Sequence, residues 1–104
     1  MEIIDVLKYD QFKMGSVFRE VPIITSQTMA TILLIDSNSR TTNLNHPQKD
    51  RIYYIVRGKG EVTIENESRL IKEGDMILIP MGSSHKYSTS TSRLVLISIN
   101  QIDD

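Results

Sequence analysis

The sequence predicts an all-β fold, a barrel or jelly roll. Helical periodicity is weak along the whole chain, short apolar or alternating runs recur, and polar turn residues separate these runs at intervals of roughly 8 to 12 residues. Met29 to Ile35 is the first clear run, and the polar break Asp36-Ser37-Asn38-Ser39 ends it. Ile52 to Val56 follows, closed by Gly58-Lys59-Gly60. Next come Glu61 to Ile64, a turn at Glu65-Asn66-Glu67, Arg69 to Ile71, a turn at Lys72-Glu73-Gly74-Asp75, and Met76 to Ile79. His85 to Ser88 and Arg93 to Ile99 form the last pair, joined by a Ser/Thr-rich loop. Closing such strands on one another buries one face of each and protects the edges.

Upstream of residue 28 the pattern is less regular. A short helical turn is expected at Gln11-Phe12-Lys13 and a strand around Val17-Phe18-Arg19, with Pro22 interrupting any regular run. With 104 residues the chain suits one domain, 1–104, and leaves no room for separate cofactor and substrate domains. Hydrophobic residues at 39% and charged residues at 24% place it among ordinary globular chains rather than disordered tails.

Charge narrows the partners. A net charge of -1 lacks the clustered Lys/Arg excess that neutralising phosphates demands, so nucleic acid is not an expected partner. No window approaches the roughly 20 apolar residues that span a bilayer, so no membrane partner is expected. The start, with Glu2, Asp5 and Asp10, lacks the basic and apolar regions of a secretory signal, which makes the cytoplasm the expected location. There is no cysteine, which excludes disulfides and thiolate metal sites. Asn66-Glu67-Ser68 matches a glycosylation acceptor but reads as a polar turn.

Two stretches carry a family resemblance. Gly74-Asp75-Met76-Ile77-Leu78-Ile79-Pro80-Met81-Gly82-Ser83-Ser84-His85 resembles the second cupin motif, with its Gly, Pro, Gly and His all at their spacings. Gly74 permits the turn into a strand, Pro80 and Gly82 shape a bend that cannot continue a ladder, and His85 enters the next strand pointing inward. His46 to Gly58 resembles the first cupin motif, aligned on Gly58. That alignment puts Leu44 at the family's first His, His46 at the second, and Arg51 at the Glu. The resemblance covers about residues 30–99 and implies a cupin-type jelly-roll β-barrel, with residues 1–28 as an N-terminal strand or arm.

The family's site normally holds a divalent metal, which needs several imidazoles or anionic oxygens converging on one point. Leu44 has no lone pair. Arg51 is cationic at every relevant pH and repels a divalent ion if it points inward. His46 and His85 remain as a weak pair for Mn, Fe, Ni or Zn. Asp50 could supply a carboxylate only through a bulge after Pro47, because strand alternation turns it away from the face of Arg51, Tyr53 and Ile55. Asn43 and Asn45 carry amide oxygens that alternation separates from His46.

His46, Arg51, Tyr53, His85 and Tyr87 are therefore the candidate ligand-binding residues, with Arg51 as an anion anchor. Three functional classes follow: a cupin binding a small anionic or polyhydroxylated molecule; a metal-dependent cupin enzyme of the dioxygenase, isomerase or decarboxylase type with a reduced ligand set; and a sensor or assembly module. The resemblance also implies a homodimer. Glu2 to Leu7 is a candidate interface strand, and Ile52, Tyr54 and Val56 form a face that packs elsewhere or meets a second subunit.

Overall fold

The computed structural model of the protein describes residues 1–12, 16–42, 44–45 and 49–102. The strands are β1 (Phe18–Ile24), β2 (Thr28–Ile35), β3 (Leu44–Asn45), β4 (Arg51–Arg57), β5 (Lys59–Ile64), β6 (Glu67–Lys72), β7 (Met76–Ile79), β8 (Ser84–Ser88) and β9 (Leu94–Gln101). They form two antiparallel sheets, one in the order β1-β2-β9-β4-β7 and one in the order β3-β8-β5-β6. From β2 onward the chain passes between the sheets at every connection except the β5–β6 hairpin. That wrapping is the jelly roll the sequence predicts, and the fold is all-β.

Alternation sets what each strand buries. Along β4, Tyr53 and Ile55 are buried while Ile52 and Tyr54 lie open. Along β7, Ile77 and Ile79 are buried while Met76 and Leu78 lie open. Cross-strand partners share a face, so the registers Arg51↔Ile79, Tyr53↔Ile77, Ile55↔Leu96 and Leu33↔Leu96 assemble one inward surface. Leu33, Ile35, Ile55, Ile79, Leu94 and Leu96 from the first sheet meet Val62, Ile71 and Tyr87 from the second. Each such side chain contributes about 1.5–3 kcal/mol when fully buried.

A second, smaller cluster lies on the outside of the five-stranded sheet. Ile32, Leu34 and Val95 are completely buried there, beneath Val6, Tyr9 and Phe12 of the N-terminal arm. The arm is not the expected strand: its regular element is a 3-10 turn, Val6–Tyr9, capped by Asp5, whose carboxylate accepts from the Leu7 amide at 3.1 Å. The helical turn thus comes earlier than the expected Gln11-Phe12-Lys13, of which Lys13 lies outside the described residues. Charges fasten the arm: Arg93 reaches the Asp10 carboxylate at 3.6 Å and Asp36 at 3.0 Å, and Arg19 donates to the Tyr9 carbonyl at 3.0 Å.

Three further boundaries differ from expectation for local reasons. Pro22 does not end β1, because β1 is an edge strand and an edge tolerates a missing N–H on its open side. Only Gly58 separates β4 from β5, since Lys59 and Gly60 already pair with Lys72 and Ile71. Gly58 has φ 89°, and a Cβ there would lie 1.7 Å from the Arg93 carbonyl oxygen, so no other residue fits the corner. The hairpin between β5 and β6 needs only Glu65-Asn66, with Glu65 at φ 53°, which frees Glu67 to start β6. Among the described residues, no helix is long and apolar enough to cross a membrane.

Candidate functional site

Three neighbouring strands change character in the same direction along their inward faces. From Ile35 and Leu33, β2 passes to Thr31; from Leu94 and Leu96, β9 passes to Ser98 and Asn100; from Ile55, β4 passes to Tyr53 and Arg51. One end of the interior is thus aliphatic and the other polar. Thr31 and Ser98 are register partners and both buried, and the Asn100 amide donates to the Ser98 hydroxyl at 2.9 Å. Sequence reasoning passed over Ser98 and Asn100, because Arg93 to Ile99 reads as one apolar run. The signal is present at every second residue, Leu94, Leu96, Ser98, Asn100, once the strand's inward parity is known.

The four-stranded sheet supplies the facing side. In β8, His85 and Tyr87 are each 1% exposed and alternate with the open Lys86. The edge of the imidazole and phenol rings meet at a 5.5 Å centroid separation and 89°, and the Tyr53 ring lies 6.4 Å from that of His85. Edge-to-face contact of this kind fixes ring orientation. Arg51, Tyr53, His85 and Tyr87 therefore all sit on inward faces as the strand pattern predicted, with Tyr53 and His85 in reach of one another across the two sheets. His46, the fifth candidate, lies outside the described residues, as does Asn43.

Burial governs the chemistry of the two phenols. Desolvation, with the Glu20 charge adding to it and the Arg51 charge opposing it, pushes the Tyr53 hydroxyl up to about 12. Desolvation raises Tyr87 further, with Tyr53 adding to the effect. Both phenols stay protonated at neutral pH and are available as neutral hydrogen-bond donors, not bases. The Tyr87 hydroxyl and the Arg51 Nε are buried and have no hydrogen-bond partner among the described residues. A buried donor left in that state costs about 1–3 kcal/mol, more when charged.

The donors on these faces do not fit the family's His/carboxylate metal centre. Leu44 stands directly opposite His85 in the β3–β8 register and is aliphatic. Arg51 places a cation on the inward face of β4 where the motif has a carboxylate. The Asp50 carboxylate is turned outward, and its Oδ1 accepts the Met81 amide at 2.7 Å in the bend after β7. Alternation thus wins over the bulge that would have re-aimed it. Among the described residues, no three His, Cys, Asp or Glu side chains come together as a metal-binding group, and the whole chain has only two histidines.

The second motif keeps its geometry. Gly74 and Gly82 take φ 91° and 77°, and the bend between β7 and β8 is closed by Ser83, whose hydroxyl donates to the Pro80 carbonyl at 2.6 Å. Residues 32–100 match the cupin domain family. This chain is a cupin. An uncharacterized protein of Methanocaldococcus jannaschii is 35% identical over 89 residues, covering 76% of this chain and 70% of that protein. A match to an Aquifex aeolicus protein spans only 45% of that protein's length. Among solved structures, KdgF from Halomonas sp. superposes with a TM-score of 0.73 at 22% identity, covering 93% of this chain and 89% of that one. An uncharacterized conserved protein with a double-stranded β-helix domain from Klebsiella pneumoniae reaches 0.80 at 15% identity, covering 100% and 99%. These superpositions establish the cupin fold, and the chemistry of the interior rests on its own residues.

Proposed function

We propose that this cupin binds a small anion, a carboxylate or phosphate group on a polar and hydroxylated body, at the polar end of the space between its sheets. Arg51 carries the reading. It stands where the motif has a carboxylate, it lies on the inward face of β4, and its Nε is buried and unmatched among the described residues. A half-buried guanidinium makes charge-assisted hydrogen bonds that are about twice as strong as neutral ones. The Tyr87 hydroxyl supplies a second, neutral donor, and Ser98 with Asn100 supplies donors and acceptors for hydroxyl groups. A few polar groups set among apolar neighbours are the usual composition of a small-molecule site.

A thermal-shift survey of small carboxylates, phosphate esters and matched neutral polyols tests this, run on the wild type and on Arg51→Met. Anions should raise the melting temperature of the wild type, and the variant should lose the rise. Equal stabilisation of both proteins by the same anions, or a response to neutral polyols alone, would remove Arg51 from the site.

A further inference from the structure

We infer that the interior site takes a zwitterion: a carboxylate or phosphate group held by Arg51 and, at the other end of the same small molecule, an ammonium held by Glu20. The inference rests on the anion-binding reading and adds the ligand's second charge. Glu20 enters through the parity of β1. Val21 and Ile23 pack into the outer cluster beneath the arm, whereas Phe18 packs against the interior core. Glu20 shares the parity of Phe18 and stands opposite Leu33, an inward residue, in the β1–β2 register. It therefore puts a carboxylate on the inward face of the five-stranded sheet.

Because β1 is an edge strand, Glu20 stands exposed at the open margin of the interior. Its neighbour Arg19 turns outward and donates to the Tyr9 and Gln11 carbonyls, so it is committed to the arm. The Tyr53 phenol lies within reach of both site charges: after burial, the Glu20 carboxylate raises its hydroxyl and the Arg51 guanidinium opposes that rise. The strands between them carry polar side chains on the same face, Thr31 of β2 opposite Ser98 of β9, with Pro22 of β1 opposite Thr31.

Charge selects the ligand class. Among the described residues, neither Glu20 nor Arg51 forms an ion pair, with the other or with a third side chain. Other cations are engaged elsewhere: Arg57 faces Asp10 at 3.8 Å, and Arg69 holds Glu67 at 2.6 Å. Two opposite charges that share an interior without meeting suit a molecule that carries the complementary pair. A plain anion on Arg51 is repelled by the Glu20 carboxylate, and the repulsion is screened less beside the walls of the site than in open water. An ammonium on the same molecule turns that repulsion into attraction. The hydroxyl and amide groups of Thr31, Ser98 and Asn100 are then left for the ligand's polar body.

Titration calorimetry on the full chain with two ladders of probes decides the matter: unbranched amino acids from glycine to aminohexanoate, and amine-free carboxylates of the same lengths. Phosphoethanolamine against ethyl phosphate forms the phosphate arm. At one length, or in the phosphate arm, the amine-bearing probe should bind about fivefold tighter than its amine-free counterpart, the upper end of what an exposed charge pair contributes. Glu20→Gln should erase that preference and strengthen binding of the plain anion. Glu61→Gln, on β5 beside the buried Val62 and so on the outer face of the other sheet, should keep the preference. Arg51→Met should abolish binding of both series. Plain anions bound as tightly as amine-bearing ones, but still lost in Arg51→Met, would overturn the zwitterion and leave the anion site standing. A preference that survives in Glu20→Gln would overturn it equally. Binding of neither series, or binding indifferent to Arg51→Met, would overturn both readings.

Discussion

Leu96 and Ser98 stand two residues apart on the same inward face of β9, and the interior differs on either side of them. Toward Leu94, the neighbours Leu33, Ile35 and Ile55 are aliphatic and at most 1% exposed. Toward Asn100, the neighbours are Thr31, Tyr53 and Arg51, and across the sheets His85 and Tyr87. The aliphatic end gains stability from nearly every atom. The polar end includes donors, the Arg51 Nε and the Tyr87 hydroxyl, that the described residues leave unmatched. A fold retains such groups at a cost in stability, and a ligand that satisfies them recovers it. The two ends should therefore respond to mutation in opposite ways.

The largest effect is expected at the aliphatic end. Leu96→Ala should lower unfolding free energy by about 2–5 kcal/mol in urea titrations, through lost burial and the cavity left behind. Next is alkaline sensitivity from the polar end. The Tyr53 hydroxyl is raised to about 12 in the folded chain from an ordinary value of 10. The folded state therefore holds a proton that the unfolded state releases first. Stability is fully present below pH 10 and is lost as pH rises from 10 toward 12. Tyr53→Phe should flatten that slope by about one proton, measured from melts between pH 8 and 12.

A smaller change concerns metal. Arg51→Glu removes the repelling cation and restores a carboxylate on the inward face of β4, so calorimetry with Mn or Zn should show tighter uptake than by the wild type. No gain would mean that the remaining donors do not converge. Smallest is Tyr87→Phe. Deleting a buried hydroxyl without a partner should leave stability unchanged or raise it by up to about 1 kcal/mol, while anion affinity falls severalfold. A loss of stability comparable to that of Leu96→Ala would erase the distinction between the two ends.

Much of this division was legible in the sequence. The parity of Arg51, Tyr53 and Ile55 follows from alternation along a strand whose other positions, Ile52 and Tyr54, belong to the opposite face. The Gly74 to His85 spacing located the bend and the inward histidine. What escaped were features that depend on a partner strand. Leu44–Asn45 is too short to show periodicity and becomes a strand only by pairing with Ser84 and His85. Ser98 joins the polar end only because β9 lies between Thr31 of β2 and the face of β4. The arm escaped for a different reason: the apolar residues of Glu2 to Leu7 suggest an interface strand, but the sheet ends at β1, and the arm covers a face rather than extending an edge.

The central claim is that Arg51 Nε meets the ligand. Proton–nitrogen correlation spectra of the 15N-labelled protein can follow that group directly while an anion selected by the thermal-shift survey is titrated in. The account predicts that the Arg51 Nε–H resonance moves and saturates with the dissociation constant measured calorimetrically. A resonance that stays fixed while the anion binds would place the ligand elsewhere and leave Arg51 a structural cation.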